Sequence, residues 1–120
     1  MYEQVGGEPF FERLVEGFYA QIEQDELLRP MYPEDLSDSK RTMVLFLTQY
    51  WGGPTTYMQE RGHPRLRMRH APFRITKKAR DAWMVAMTLA LESVRSELTA
   101  DQYDEMVAYF DMAAHQMRNV

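Results

Sequence analysis

The chain has 120 residues, enough for a single domain (1–120) with a modest core of its own. It is 45% hydrophobic and 27% charged, a globular rather than a disordered composition, and it has no cysteine, which excludes a disulfide scaffold, a zinc–thiolate site and a thiol nucleophile. The net charge of −4 hides an asymmetry: residues 61–80 hold six Arg, two Lys and no acid, whereas the other hundred hold six basic and eighteen acidic side chains.

The first predicted helix runs from Pro9 to Gln24. Pro9 suits a first turn, where its missing N–H is not needed. Phe11, Leu14, Val15, Phe18 and Ile22 form a stripe at helical spacing, with Tyr19 at its edge. Leu27 to Pro33 reads as irregular, with Pro30 and Pro33 on either side of Met31-Tyr32. A second helix is expected from Asp38 to Trp51, capped by Ser37 or Asp38 and stopped by Gly52-Gly53-Pro54. Met43 to Leu47 is apolar at five consecutive positions, so this helix must be covered on more than one side. In so small a chain the second cover need not be protein.

Thr55 to Ile75 is the unusual segment. It contains Gly62, Pro64, Pro72, alternating Arg residues and two of the three His. It cannot form one regular helix, although a short turn over Leu66–His70 is expected. A connection longer than about 12–15 residues is uncommon in a compact domain and tends to be functional. A third helix follows from Thr76 to Glu97, with Trp83, Met87, Ala90 and Val94 on one face. The fourth opens with Thr99-Ala-Asp-Gln102, a capping-box pattern, and turns Tyr103, Met106, Val107, Phe110, Ala113 and Met117 inward. No alternating strand pattern is present, so the fold class is all-α. No apolar run approaches the ~18–20 residues of a membrane span, and the start lacks a signal-peptide pattern. The expected location is cytoplasmic, with no membrane span.

Three histidines are available for chemistry. His115 falls off the inner stripe of its helix, and His63 sits in a Gly62-His63-Pro64 turn; both read as surface residues. His70 has apolar neighbours in Met68, Ala71 and Phe73, so it is either a packed core histidine or a ligand. No His pair has i, i+4 spacing, and no acid lies within nine positions of His70, which argues against a protein-only metal cage. A cofactor with its own equatorial ligands, such as haem, needs only one protein nitrogen. Tyr19, Tyr32 and Trp83 carry polar tips on or beside apolar faces. Either each tip meets a backbone carbonyl, or the three converge on a ligand with partial negative charge. The Arg-rich segment is a solvated face, a nucleic-acid surface, or a source of cations for the two propionates of a haem. For that last role Arg61, Arg67 and Tyr57 are the candidates.

These residues also resemble a known pattern. Val5-Gly6-Gly7, Phe18-Tyr19-Ala20-Gln21, Tyr32-Pro33-Glu34-Asp35 and Gln49-Tyr50-Trp51-Gly52-Gly53-Pro54 are similar to the group II truncated haemoglobins. So are the run from Arg61 through His70 to Arg74, Arg80-Asp-Ala-Trp83 and Met112-Ala-Ala-His115. The resemblance covers nearly the whole chain. It implies a truncated globin, a two-over-two helical sandwich, with one haem b per chain and His70 as the iron ligand. Tyr19, Tyr32 and Trp83 would be the ligand-stabilising donors on the distal side. Ser39, Met43, Phe46 and Leu47 would face the haem, with Ser39 where ordinary globins place a distal His. The implied function is binding of dioxygen, carbon monoxide, nitric oxide or peroxide at a five-coordinate iron, with slow oxygen release. Slow release argues against simple oxygen transport and suits peroxidase or reactive-nitrogen detoxification chemistry, served by an unidentified reductase; self-association into a homo-oligomer is compatible with it. Nucleic acid is not an expected partner. The alternative is a non-haem helical module that binds anions or nucleic acid through Arg61–Arg80.

Overall fold

The computed structural model describes the backbone of all 120 residues and every side chain but that of Arg67, which lies outside the described residues. Six helices follow in order: α1 (Glu8–Gln24), α2 (Ser37–Tyr50), α3 (Thr56–Arg61), α4 (Leu66–His70), α5 (Lys77–Ser93) and α6 (Ala100–Met117). Short 3₁₀ turns occupy Arg29–Met31 and Arg95–Glu97, and there is no strand among the described residues. α1 packs on α2 within one layer and on α5 across the sandwich; α5 pairs with α6 in the second layer. No helix among the described residues is long and apolar enough to cross a membrane.

The core follows from the predicted stripes. Phe10, Phe11, Leu14, Phe18 and Ile22 of α1 are fully buried, against Met87 and Leu91 of α5 and Met106 of α6 in one apolar cluster. Truncating a phenylalanine in such a setting costs about 3–5 kcal/mol. Gly17 lies at the α1–α5 crossing, where a Cβ would be in ordinary contact with Ala90 Cβ at 3.5 Å and Ser93 Oγ at 3.4 Å and anything larger would not fit. At the other end of α1, Phe11 stacks on Trp51 at 6.0 Å and on Tyr2 at 6.2 Å. Tyr2 and Thr48 leave no room at Gly53, where a Cβ would sit 2.7 Å from the Thr48 carbonyl oxygen and from the Tyr2 ring. The second glycine after α2 is therefore a matter of close approach. Gly7, before α1, is one of conformation, with φ +78°.

Several boundaries differ from expectation. α2 is not capped by Ser37 or Asp38; Leu36 is its N-cap, and Asp35 Oδ1 instead accepts from the Ser37 amide at 2.9 Å. The predicted third helix ends at Ser93, and its last residues form the 3₁₀ turn. α3 arises inside the segment that sequence left irregular. Thr99 forms the expected capping box with Gln102, a feature worth about 1 kcal/mol.

Candidate functional site

α4 is only five residues long and carries His70 at its end. The turn before it is strained, with Arg65 in the left-handed region at φ +45°, a conformation that costs a non-glycine residue about 1–2 kcal/mol. Arg69 holds that turn, donating from Nε to the Pro64 carbonyl at 2.7 Å and from its terminal nitrogen to the Arg61 carbonyl at 2.9 Å. Inside α4, the His70 Nδ1–H donates to the Leu66 carbonyl at 2.7 Å. A carbonyl is only an acceptor, so Nδ1 carries a proton and Nε2 is the ring nitrogen left for a ligand.

The half-buried His70 lines a cavity of about 400 Å³ between the two helical layers, within the usual size range of small-molecule and cofactor sites. Tyr19, Tyr32 and Trp83 line the same cavity, as do Ser39, Met43, Phe46 and Leu47 of α2. Tyr57 of α3 is buried there against Phe46, with ring centroids 5.5 Å apart. α2 thus has two covers, as its apolar run required: Val44 enters the protein core, while Met43 and Phe46 face the cavity. Trp83 is packed by Phe18 at 5.1 Å and Phe110 at 6.0 Å.

The tyrosine hydroxyls bear on the two alternatives for these polar tips. The only tyrosine hydroxyl among the described residues that donates to a protein oxygen is that of Tyr103, to Glu92 at 2.7 Å. Tyr19 and Tyr32 do not cap backbone carbonyls. Burial raises the Tyr19 pKa well above the ordinary phenol value. Burial likewise pushes Tyr32 up to about 12, partly offset by the neighbouring Trp83 indole N–H. Both therefore stay protonated donors at neutral pH.

The predicted residues come together with two qualifications. Arg61 lines the cavity but already pairs with Asp38 of α2 at 3.3 Å. Arg67 lies outside the described residues. His63 and His115 are exposed, as their settings suggested. Among the cavity residues that were missed, two carry orphaned polar atoms. Thr42 Oγ1 and Arg80 Nε are buried without a hydrogen-bond partner among the described residues, and both residues line the cavity. Thr42 had a usable signal, because it lies three positions from Ser39 on the same helical face.

A bacterial-like globin family model matches residues 1–119. The chain belongs to the bacterial-like globin family, among its group II truncated haemoglobins. It is 45% identical over 96 residues to the Group 2 truncated hemoglobin YjbI of Bacillus subtilis, covering 80% of this chain and 72% of that protein. Its fold superposes on the haemoglobin of the thermophilic phototroph Chloroflexus aurantiacus with TM-score 0.95 and 49% identity, covering 99% and 97% of the two chains. The truncated oxygen-avid haemoglobin of Bacillus subtilis matches with TM-score 0.91 and 39% identity over 98% of each chain. Globins bind haem, and haem-based gas binding goes with this truncated haemoglobin family. The cavity of this truncated haemoglobin fits that group. It offers one imidazole nitrogen, an apolar wall and two orphaned polar atoms, Thr42 Oγ1 and the Nε of an Arg80 whose terminal nitrogen pairs with Asp81 at 3.0 Å, with which a propionate-bearing cofactor could pair.

Proposed function

We propose that this protein holds one haem b per chain through His70 Nε2 and binds dioxygen and other diatomic ligands beside Tyr19, Tyr32 and Trp83. The bound group would supply the iron at which such a ligand attaches. The observation that carries this reading is the shared cavity: an imidazole whose Nδ1 meets the Leu66 carbonyl, and three donors with no backbone carbonyl partner among the described residues, line the same space. Leu66 fixes the His70 ring by accepting its Nδ1–H. Phenol and indole donors stabilise partial negative charge on a small ligand, which slows its escape. Ser39, Met43, Phe46, Leu47 and Tyr57 shape the cavity wall, while Thr42, Arg80, Arg61 and Arg67 are the candidates for the propionates. The oxygen avidity named for the Bacillus subtilis homologue agrees with this reading.

Redox chemistry of peroxide or reactive nitrogen species is a slower, secondary activity in this reading. Efficient proton transfer needs an acid or base tuned near neutrality. The cavity wall has no histidine other than His70 among the described residues, and its one carboxylate, Asp38, is exposed and paired with Arg61. Tyr32, at about 12, is too weak an acid for the task.

The test is an absorption spectrum of the purified protein, ferric, then reduced, then under oxygen and carbon monoxide, beside His70→Gly. A Soret band that shifts with each gas and a changed spectrum in the variant are expected. No Soret band after adding hemin, or a normal spectrum for His70→Gly, would overturn the reading.

A further inference from the structure

We propose that Asn119 is a positioning residue for His70, setting where the imidazole stands in the cavity. The proposal rests on His70 being the axial ligand. A five-residue helix cannot hold itself in place, and the carbonyls at its end are met by the backbone only through the local turn, Ala71 N–H donating to Met68 at 3.2 Å and Phe73 N–H to His70 at 3.0 Å. The front of α4 is tied only locally, by Arg69 to carbonyls of residues 61 and 64. The back is tied across the fold. Asn119, two residues past the end of α6, donates its backbone N–H to the Ile75 carbonyl at 3.0 Å. Its side-chain Oδ1 accepts from the Ile75 amide at 2.9 Å. Its Nδ2 donates to the Phe73 carbonyl at 2.8 Å and reaches the His70 carbonyl at 3.5 Å.

One amide thus binds three residues of the stretch from His70 to Ile75 and anchors them to the α6 end. Phe73 and Ile75 line the same cavity as His70, so the clamp fixes the wall beside the imidazole together with its backbone. The chemistry asks for asparagine: aspartate keeps the acceptor for Ile75 but loses the donors to Phe73 and His70, and alanine loses both.

The experiment compares the haem-loaded wild type with Asn119→Ala, Asn119→Asp and His70→Gly. It reads the iron–histidine stretching band of the reduced protein, hemin transfer to an excess of a haem-scavenging apoprotein, and amide exchange at Ile75. Asn119→Ala is expected to shift or broaden the band, speed hemin loss about five- to tenfold, as for one or two lost hydrogen bonds, and expose the Ile75 amide. Asn119→Asp should keep the Ile75 amide protected and lose hemin at an intermediate rate. A band and hemin-loss rate unmoved in Asn119→Ala overturn the proposal, even if the thermal midpoint falls, because the role is then only structural. If the band survives His70→Gly, His70 is not the ligand and both readings fall. If it vanishes there yet stays unmoved in Asn119→Ala, only the role of Asn119 falls.

Discussion

The rings of Tyr19 and Tyr32 meet edge to face, with centroids 5.6 Å apart and planes at 88°. The contact fixes two phenols from different elements against one another at the cavity wall. It is the edge-to-face geometry aromatic pairs favour, worth about 0.5–1.5 kcal/mol beyond burial. Neither hydroxyl is consumed by the protein backbone, so both remain available to a small ligand.

Ligand release should report those donors one at a time. Trp83→Phe and Tyr32→Phe are each expected to speed oxygen dissociation about five- to tenfold, as for one lost hydrogen bond. The double variant should depart from the product of the two, because the residues are neighbours. Stopped-flow dissociation measures this; wild-type rates in both single variants would remove the two residues from ligand binding.

Alkaline pH should find the same phenols late. For Tyr32, the folded value of about 12 exceeds the ordinary value near 10. The stability linked to this shift is thus complete below pH ~10 and is lost as the pH rises towards 12. Tyr19 and Tyr109 are raised in the same direction, again by burial. Phenolate absorbance followed beside far-ultraviolet circular dichroism should show these tyrosines ionising together with loss of helix. A single smooth ionisation of all seven tyrosines near pH 10 with helix intact would contradict it.

Gly17 gives a prediction whose sign changes with side-chain size. A methyl group there makes ordinary contacts of 3.4–3.5 Å, while alanine gains about 0.5–1 kcal/mol over glycine inside a helix. Gly17→Ala should therefore raise the thermal midpoint by about 2–4 °C. Gly17→Leu must push α1 away from Ala90 and should cost about 1–3 kcal/mol. A fall for Gly17→Ala in differential scanning calorimetry would show that the crossing is tighter than the contacts imply.

Periodicity made the four long helices legible, because each has a one-sided stripe that the fold buries. The capping box at Thr99 was legible for a similar reason: its two hydrogen bonds are local. α3 was not. Its six residues, Thr56–Arg61, have one buried side chain, Tyr57, and no stripe to read. The cap of α2 was misassigned because Asp35, Ser37 and Asp38 all offer capping chemistry and the turn geometry decides among them. Within the cavity, Tyr19, Tyr32, Trp83 and the α2 residues were found through their faces and the family resemblance. Arg80 was lost in a run of like charges, where sequence cannot say which cation turns inward. Asn119 was invisible, since its partners lie 44–49 positions away.

The cavity wall draws on residues from Phe18 to Met117. No single helix pair can therefore offer a finished berth: α1 and α2 supply one wall, and Phe110 to Met117 of α6 close it from the other layer. A group that needs the whole enclosure would enter only a chain that has already brought both layers together, and would draw the folding equilibrium towards that form.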